Sequence, residues 1–166
     1  MVEALRLGVP RVYHPFMGAS GRSFDPARPP VTRGPVVDYS LARRALIASV
    51  RRGVTATTDV CDAHPELLRA GKNIGEEAPD KCPICSHESL KQVRYVYGDE
   101  LGRNSGRVVY PPEWLKELAQ QYEHFTCYLV EVCTDCHWNH LLRSYTAGSD
   151  YPGSERTPQE RRRERG

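Results

Sequence analysis

From Asp38 onward the chain takes up a helical period: Tyr39, Ala42, Ala45, Leu46, Ile47 and Val50 recur at helical spacing, while Arg43, Arg44, Arg51 and Arg52 fall on the other face. Apolar residues at that spacing line one side of a 3.6-residue helix. Asp38 stands where it can cap the first turn and Gly53 where the helix ends, so the pattern predicts one helix between them. Thr57 to His64 reads as a short helical turn. Pro65 is tolerated in a first turn, where its missing amide would have no partner, and it opens a second helix through Leu67, Leu68 and Ala70 that Gly71 is expected to stop. Short helices with a tight turn over residues 38–72 have the outline of a helix-turn-helix, which is also a generic packing unit.

Beyond Lys81 the period becomes two. Leu90 to Tyr97 alternates, with Val93, Tyr95 and Tyr97 on one side and Gln92, Arg94 and Val96 on the other, as a half-buried strand does. Gly98-Asp99 breaks it, Leu101 to Gly106 is turn-rich, and Arg107 to Tyr110 is a short strand. Pro111-Pro112 then opens a helix carrying Trp114, Leu115, Leu118, Tyr122 and Phe125. Thr126 to Val132 and Asn139 to Thr146, rich in β-branched and aromatic residues, read as two further strands.

Both ends lack such periods. Pro10, Pro15, Pro26, Pro29 and Pro30 punctuate residues 1–34, and the tail 148–166 carries Pro152, Pro158 and the run Arg161-Arg162-Arg163-Glu164-Arg165. Neither composition supports a packed core, so both are expected to be disordered. The net charge of +2 is uneven. Residues 1–34 hold five Arg against two acids, residues 149–166 five Arg against four, and residues 35–148 hold 13 Lys and Arg against 15 Asp and Glu. That central part is thus acidic, which weighs against nucleic-acid binding by the core, since neutralised phosphates supply most non-specific affinity. No stretch nears the roughly 18 to 20 apolar residues of a membrane span, and Met1 to Arg6 begins no secretion signal. A cytoplasmic protein that binds neither membrane nor small-molecule substrate is expected.

In that compartment thiols stay reduced, so the pairs Cys82-Pro83-Ile84-Cys85 and Cys133-Thr134-Asp135-Cys136 read as metal ligands before disulfides. Each C-x-x-C turn aims two sulfurs at one centre, and two such turns complete a tetrahedron around one structural Zn2+. Forty-seven residues separate Cys85 from Cys133. They are accounted for by a strand leaving the first turn, an inserted helix, and a strand entering the second turn. The predicted fold is therefore α+β: a short-helix module at 35–78 and a split zinc ribbon of about three antiparallel strands with one inserted helix at 79–147.

His87, His137 and His140 lie close enough in sequence to replace a thiolate. Cys133-Thr134-Asp135-Cys136-His137 also matches a haem attachment pattern, which would leave Cys82 and Cys85 unexplained. Either pair could cycle as a dithiol, although no thioredoxin-like βαβ unit surrounds them. Cys61 and Cys127 read as small buried apolar residues. Phosphate loops, paired catalytic carboxylates and nucleophile triads are absent from the sequence, so no enzyme is expected.

Val37-Asp38-Tyr39 with Arg43-Arg44, Val60-Cys61-Asp62-Ala63-His64-Pro65 with Leu67-Leu68-Arg69-Ala70, Cys82-Pro83-Ile84-Cys85, Gly98-Asp99 with Leu101-Gly102, Val130-Glu131-Val132-Cys133 through Cys136, Trp138-Asn139-His140-Leu141 and Ser144-Tyr145 together resemble an uncharacterised group of small actinobacterial proteins, classed as a domain of unknown function with a split zinc ribbon. The resemblance spans about residues 36 to 146 and implies a zinc-binding, non-secreted protein. Zinc ribbons recur as docking modules, so the functional expectation is an accessory protein that binds RNA polymerase or the ribosome. Its expected contacts are Trp138 and His140 beyond the second turn and Arg43, Arg44, Arg51 and Arg52 on the first helix. A DNA-binding regulator using residues 38–72, or a thiol and zinc redox sensor, is the alternative.

Overall fold

The structure, a computed structural model, describes residues 36–149; the extension 1–34 and all but the first two residues of the tail lie outside it. It is α+β. Three long strands, β3 (Leu90–Tyr97), β5 (Phe125–Cys133) and β6 (Asn139–Ala147), form an antiparallel meander, as their alternation predicts. Three two-residue strands close its edges: β1 (Val37–Asp38) beside β6, and β2 (Glu76–Glu77) and β4 (Arg107–Val108) along the free side of β3. The sheet thus has six strands rather than three, because residues on either side of the helices and of the inserted segment return to pair with the long strands.

Both faces of the sheet are covered. On one face the inserted helix α3 (Trp114–Gln121) packs Leu115, Leu118 and Ala119 over Val96, Phe125, Cys127 and Tyr145. Toward the other end of that face α1 (Ser40–Arg51) lays Ile47 against Leu90, Cys133 and Trp138. The opposite face takes α2 (Pro65–Ile74), whose Ala70, Leu67 and Leu68 meet Val93 and Val132. Side chains alternate across a strand, so Leu90 and Val93, or Cys133 and Val132, point to opposite faces. Helices α1 and α2 therefore lie on opposite sides of the sheet, and residues 38–72 do not form a helix-turn-helix pair.

Local chemistry explains the helix limits. The Ser40 amide donates to Asp38 Oδ1 at 2.8 Å, and Gly53, at φ 71°, closes α1 with its amide donating to the Val50 carbonyl. Helix α2 continues past Gly71, contrary to expectation, and ends at Ile74. Gly71 is there for closeness: a Cβ at that position would sit 2.8 Å from Val132 Cγ1, so only a bare backbone lets α2 rest on β5. Strand β6 carries a bulge at Leu142, between the pairs Leu129 with Arg143 and Val130 with Leu141. The Leu142 carbonyl accepts from the Tyr39 amide at 2.9 Å, tying the start of α1 to the sheet.

Inside this packing lies one charged group. Glu131 is 2% exposed, and its Oε1 accepts from the Trp138 indole nitrogen at 2.8 Å and from Arg43 Nε at 2.5 Å. A buried carboxylate is tolerated only when it is paired and hydrogen-bonded, so the half-buried Arg43 of α1 serves as its partner. Arg44 beside it is exposed. Arg43→Ala is expected to lower stability by about 2 to 3 kcal/mol, less than a fully buried pair because the Trp138 donor remains and Arg43 keeps some solvent contact, whereas Arg44→Ala stays within about 0.5 kcal/mol. Urea unfolding of the two variants measures the difference.

Candidate metal centre

The four predicted sulfurs meet. The first C-x-x-C turn precedes β3 and the second follows β5, and the pairing of Leu90 with Cys133 brings the two turns to the same end of the sheet. Cys82 and Cys136 sulfurs are 3.5 Å apart, Cys85 and Cys133 3.6 Å, and all four ligand atoms lie within 4.8 Å of one another. Four sulfurs arranged tetrahedrally about 2.3 Å from one ion would be separated by about 3.8 Å, so the donor set fits such an ion. All four are free thiols.

The two turns are built alike. In the first, the Ser86 amide donates to the Cys82 carbonyl at 2.9 Å and the Cys82 amide to that of His87 at 2.9 Å; in the second, His137 donates to Cys133 at 3.1 Å and Cys133 to Trp138 at 2.8 Å. The residue after each second cysteine is left-handed, Ser86 at φ 64° and His137 at φ 68°. That conformation swings each chain back so that both sulfurs of a pair face inward. Thr134 is held to the residue just before β3 by its amide and hydroxyl, which both donate to the Ser89 carbonyl. Ser89 Oγ donates in turn to Asp135 Oδ2 at 2.5 Å, and His87 Nδ1 lies 2.9 Å from the same oxygen. Ser89 first and His87 second hold the Asp135 carboxyl below its ordinary range.

Four sulfurs this close cannot all ionise without a cation. Burial pushes the Cys82 thiol up to about 11, although the Cys85 and Ile84 amides donate to its sulfur. At Cys133 burial also acts upward, but the Cys136 and Asp135 amides and the Ser89 hydroxyl outweigh it and bring that thiol down to about 7. Cys136 is pushed far up, by burial first and then by the neighbouring sulfurs. A bound cation removes this conflict by favouring thiolate at every position. Ile47, Val60, Leu90 and Trp138 pack around the cluster and seal it from the sheet side.

Other residues fall elsewhere. The four-cysteine cluster takes in no histidine: His87 is engaged with Asp135, His137 is exposed, and His140 stacks on Trp138 at 5.9 Å with Nδ1 2.6 Å from the Leu141 carbonyl. Trp138 is 0% exposed, which corrects its expected role as a surface contact; its indole is large, apolar and fully used by the core and Glu131. Of the four arginines, Arg43 is turned inward, while Arg44, Arg51 and Arg52 are exposed. Cys127 is buried under α3 as expected. Cys61 is not a plain core residue, since its sulfur lies 3.9 Å from that of Cys136. No spacing rule reveals that contact, because it arises from the path of residues 60–63 over the second turn. Glu131 does carry a signal: it alternates inward with Cys127, Leu129 and Cys133 along β5.

The left-handed residues give a direct check on the turns. Ser86→Gly and His137→Gly remove a side chain that disfavours positive φ and are expected to leave stability unchanged or raised, whereas Ser86→Val is expected to cost about 1 to 2 kcal/mol, read by thermal denaturation.

Known proteins place the chain in a family but not in a pathway. No solved structure matches it. Over 116 residues it is 44% identical to the uncharacterized protein Rv0049 of Mycobacterium tuberculosis and, equally, to the uncharacterized protein Mb0050 of Mycobacterium bovis, covering 70% of this chain and 84% of each relative. A model for a family of unknown function, DUF5318, matches residues 31–164. With the aligned part containing the whole described fold and its four cysteines, the chain belongs to the DUF5318 family.

Proposed function

We propose that the protein is a non-enzymatic accessory factor, stapled by one structural Zn2+ on Cys82, Cys85, Cys133 and Cys136, that docks on the ribosome. The donor set supports zinc: four thiolates in tetrahedral array suit that ion, and they fill the coordination sphere, leaving no position for a reacting water. A closed, core-packed site holds structure together and leaves recognition to the surface.

The observation that carries the docking reading is the outer face of α1. Arg44, Arg51 and Arg52 are exposed there and make no ion pair with a carboxylate among the described residues, and Leu41 in its first turn and Val54 just past its end are 72% and 75% exposed. Guanidinium groups presented this way pair with phosphate oxygens, which favours an RNA-bearing surface over a purely protein one. Residues 35–148 are acidic in sum, which restricts that contact to the helix within the described fold. Docking insensitive to salt would favour a protein surface, such as that of RNA polymerase, instead.

Elemental mass spectrometry of protein purified without added metal is expected to find one zinc per chain. Cys82→Ser and Cys133→Ser are expected to lose both the ion and cooperative unfolding, as small metal-stapled domains do. Iron, or no metal, overturns the zinc assignment. For docking, the double variant Arg44→Glu, Arg51→Glu is expected to retain zinc and to lose co-sedimentation with ribosomes by about tenfold or more at low salt, in keeping with phosphate contacts. Unchanged sedimentation refutes the role of α1.

A further inference from the structure

The segment Val60 to Ala63 is laid along the outgoing arm of the second cysteine turn. Three contacts hold it there: the Ala63 amide donates to the His137 carbonyl at 3.1 Å, the Asn139 amide to the Val60 carbonyl at 3.4 Å, and Asn139 Nδ2 to Asp62 Oδ1 at 3.0 Å. Val60, buried beside Trp138, pins the segment from below. The register that results suspends Cys61 over Cys136, sulfur to sulfur at 3.9 Å. A fifth thiol therefore touches the four-sulfur cluster from outside it. A structural site closed by four thiolates has no use for another sulfur as a ligand, and a packing role would be met by alanine or valine.

We propose that Cys61 is a resolving thiol: when a peroxide oxidises Cys136, Cys61 captures it as a Cys61–Cys136 disulfide, and the ion loses one of its four ligands. This rests on the metal reading above. Three features suit the pair to this, although Cys82, itself a ligand, lies nearer to Cys136 at 3.5 Å. Cys82 and Cys133 are buried, whereas Cys136 and Cys61, like Cys85, are partly exposed, so a peroxide can reach Cys136. Cys136 is the ligand whose sulfur Cys61 meets. A disulfide has its sulfurs about 2.05 Å apart, so the two side chains need to close by only about 2 Å while the three hydrogen bonds keep the backbones in place.

The chemistry balances. The Cys136 thiolate sulfur attacks one oxygen of hydrogen peroxide, the O–O bond breaks, hydroxide leaves, and Cys136 becomes a sulfenic acid. Cys61 then gives up its proton and its sulfur attacks the sulfenyl sulfur. The S–O bond breaks, hydroxide leaves and takes a proton to become water, and the S–S bond forms. Counting Cys136 as its thiol, two thiols and one peroxide yield one disulfide and two waters, with two electrons passing from sulfur to oxygen. Capture at the sulfenic stage keeps Cys136 from the irreversible sulfinic and sulfonic acids, so a dithiol reductant restores the ligand.

The test uses the full chain with its zinc content measured beforehand, treated with limiting hydrogen peroxide. Disulfides are mapped by non-reducing peptide mass spectrometry, and released zinc is followed with a chromogenic chelator. The expected result is Cys61–Cys136 as the main disulfide, with zinc release that dithiothreitol and added zinc reverse. Cys61→Ser is expected to hold the same zinc before oxidation, then to lose it irreversibly with Cys136 recovered as sulfinic or sulfonic acid. Disulfides confined to Cys82, Cys85, Cys133 and Cys136, or full recovery of Cys61→Ser by dithiothreitol, overturn the proposal. Absence of zinc before treatment defeats the metal reading instead, and peptide mapping of that protein still decides whether Cys61 and Cys136 pair.

Discussion

Four sulfurs brought within 4.8 Å of one another are the constraint around which the molecule is organised. Thiolates repel at that distance, and thiols offer each other only weak hydrogen bonds, so nothing intrinsic to the side chains draws them together. They are held by backbone: the register of β3 on β5, the matched turns with Ser86 and His137 in left-handed conformation, and the Ser89 carbonyl that receives two donors from Thr134. A cation at the centre, as proposed above, would convert this frustration into cohesion. Such a staple would add its binding energy to that of the hydrophobic core.

Around the centre, polar and apolar contacts are interlocked rather than separated. Ile47, Val60 and Trp138 roof the cysteines, and Trp138 reaches Glu131, which in turn holds Arg43. Helix α1 is thus fixed to the sheet by burial at one position and by charge at another. A buried ion pair adds little net stability compared with a hydrophobic replacement, yet it penalises any packing in which Glu131 is left alone. Here that favours one seating of α1, the seating that keeps Arg44, Arg51 and Arg52 on the outside.

Much of this could be read from residue order. The three long strands, the three helices and the four cysteines follow from alternation, helical spacing and the C-x-x-C turns, each a local signal. Long-range closeness could not be read in the same way. Gly71 looks like a helix stop in sequence, and only the approach of α2 to Val132 makes it a spacer. Trp138 and Arg43 look like surface contacts because a tryptophan after a turn and an arginine on a helix usually face solvent. Their partner, Glu131, lies on a strand whose inward face is otherwise apolar, and a carboxylate there is a rare choice that composition disguises. The two-residue strands β1, β2 and β4 are too short to show a period at all. The contact of Cys61 with Cys136 spans 75 residues and depends on the route of an irregular segment.

The separation of the two cysteine turns along the chain bears on the order in which the molecule forms. Cys85 and Cys133 are joined by a long excursion through β3, β4 and α3, so their encounter carries a loop-closure entropy that a compact four-cysteine knuckle avoids. Either turn can hold an ion with two sulfurs as soon as it is synthesised, but four-fold grip waits until β3 has found β5 across that loop. Non-local pairings of this kind are slow steps. On the zinc reading, metal capture and completion of the sheet would therefore be a single late event, and a nascent chain would be a two-sulfur chelator, open to exchange, until its last long strands have been made.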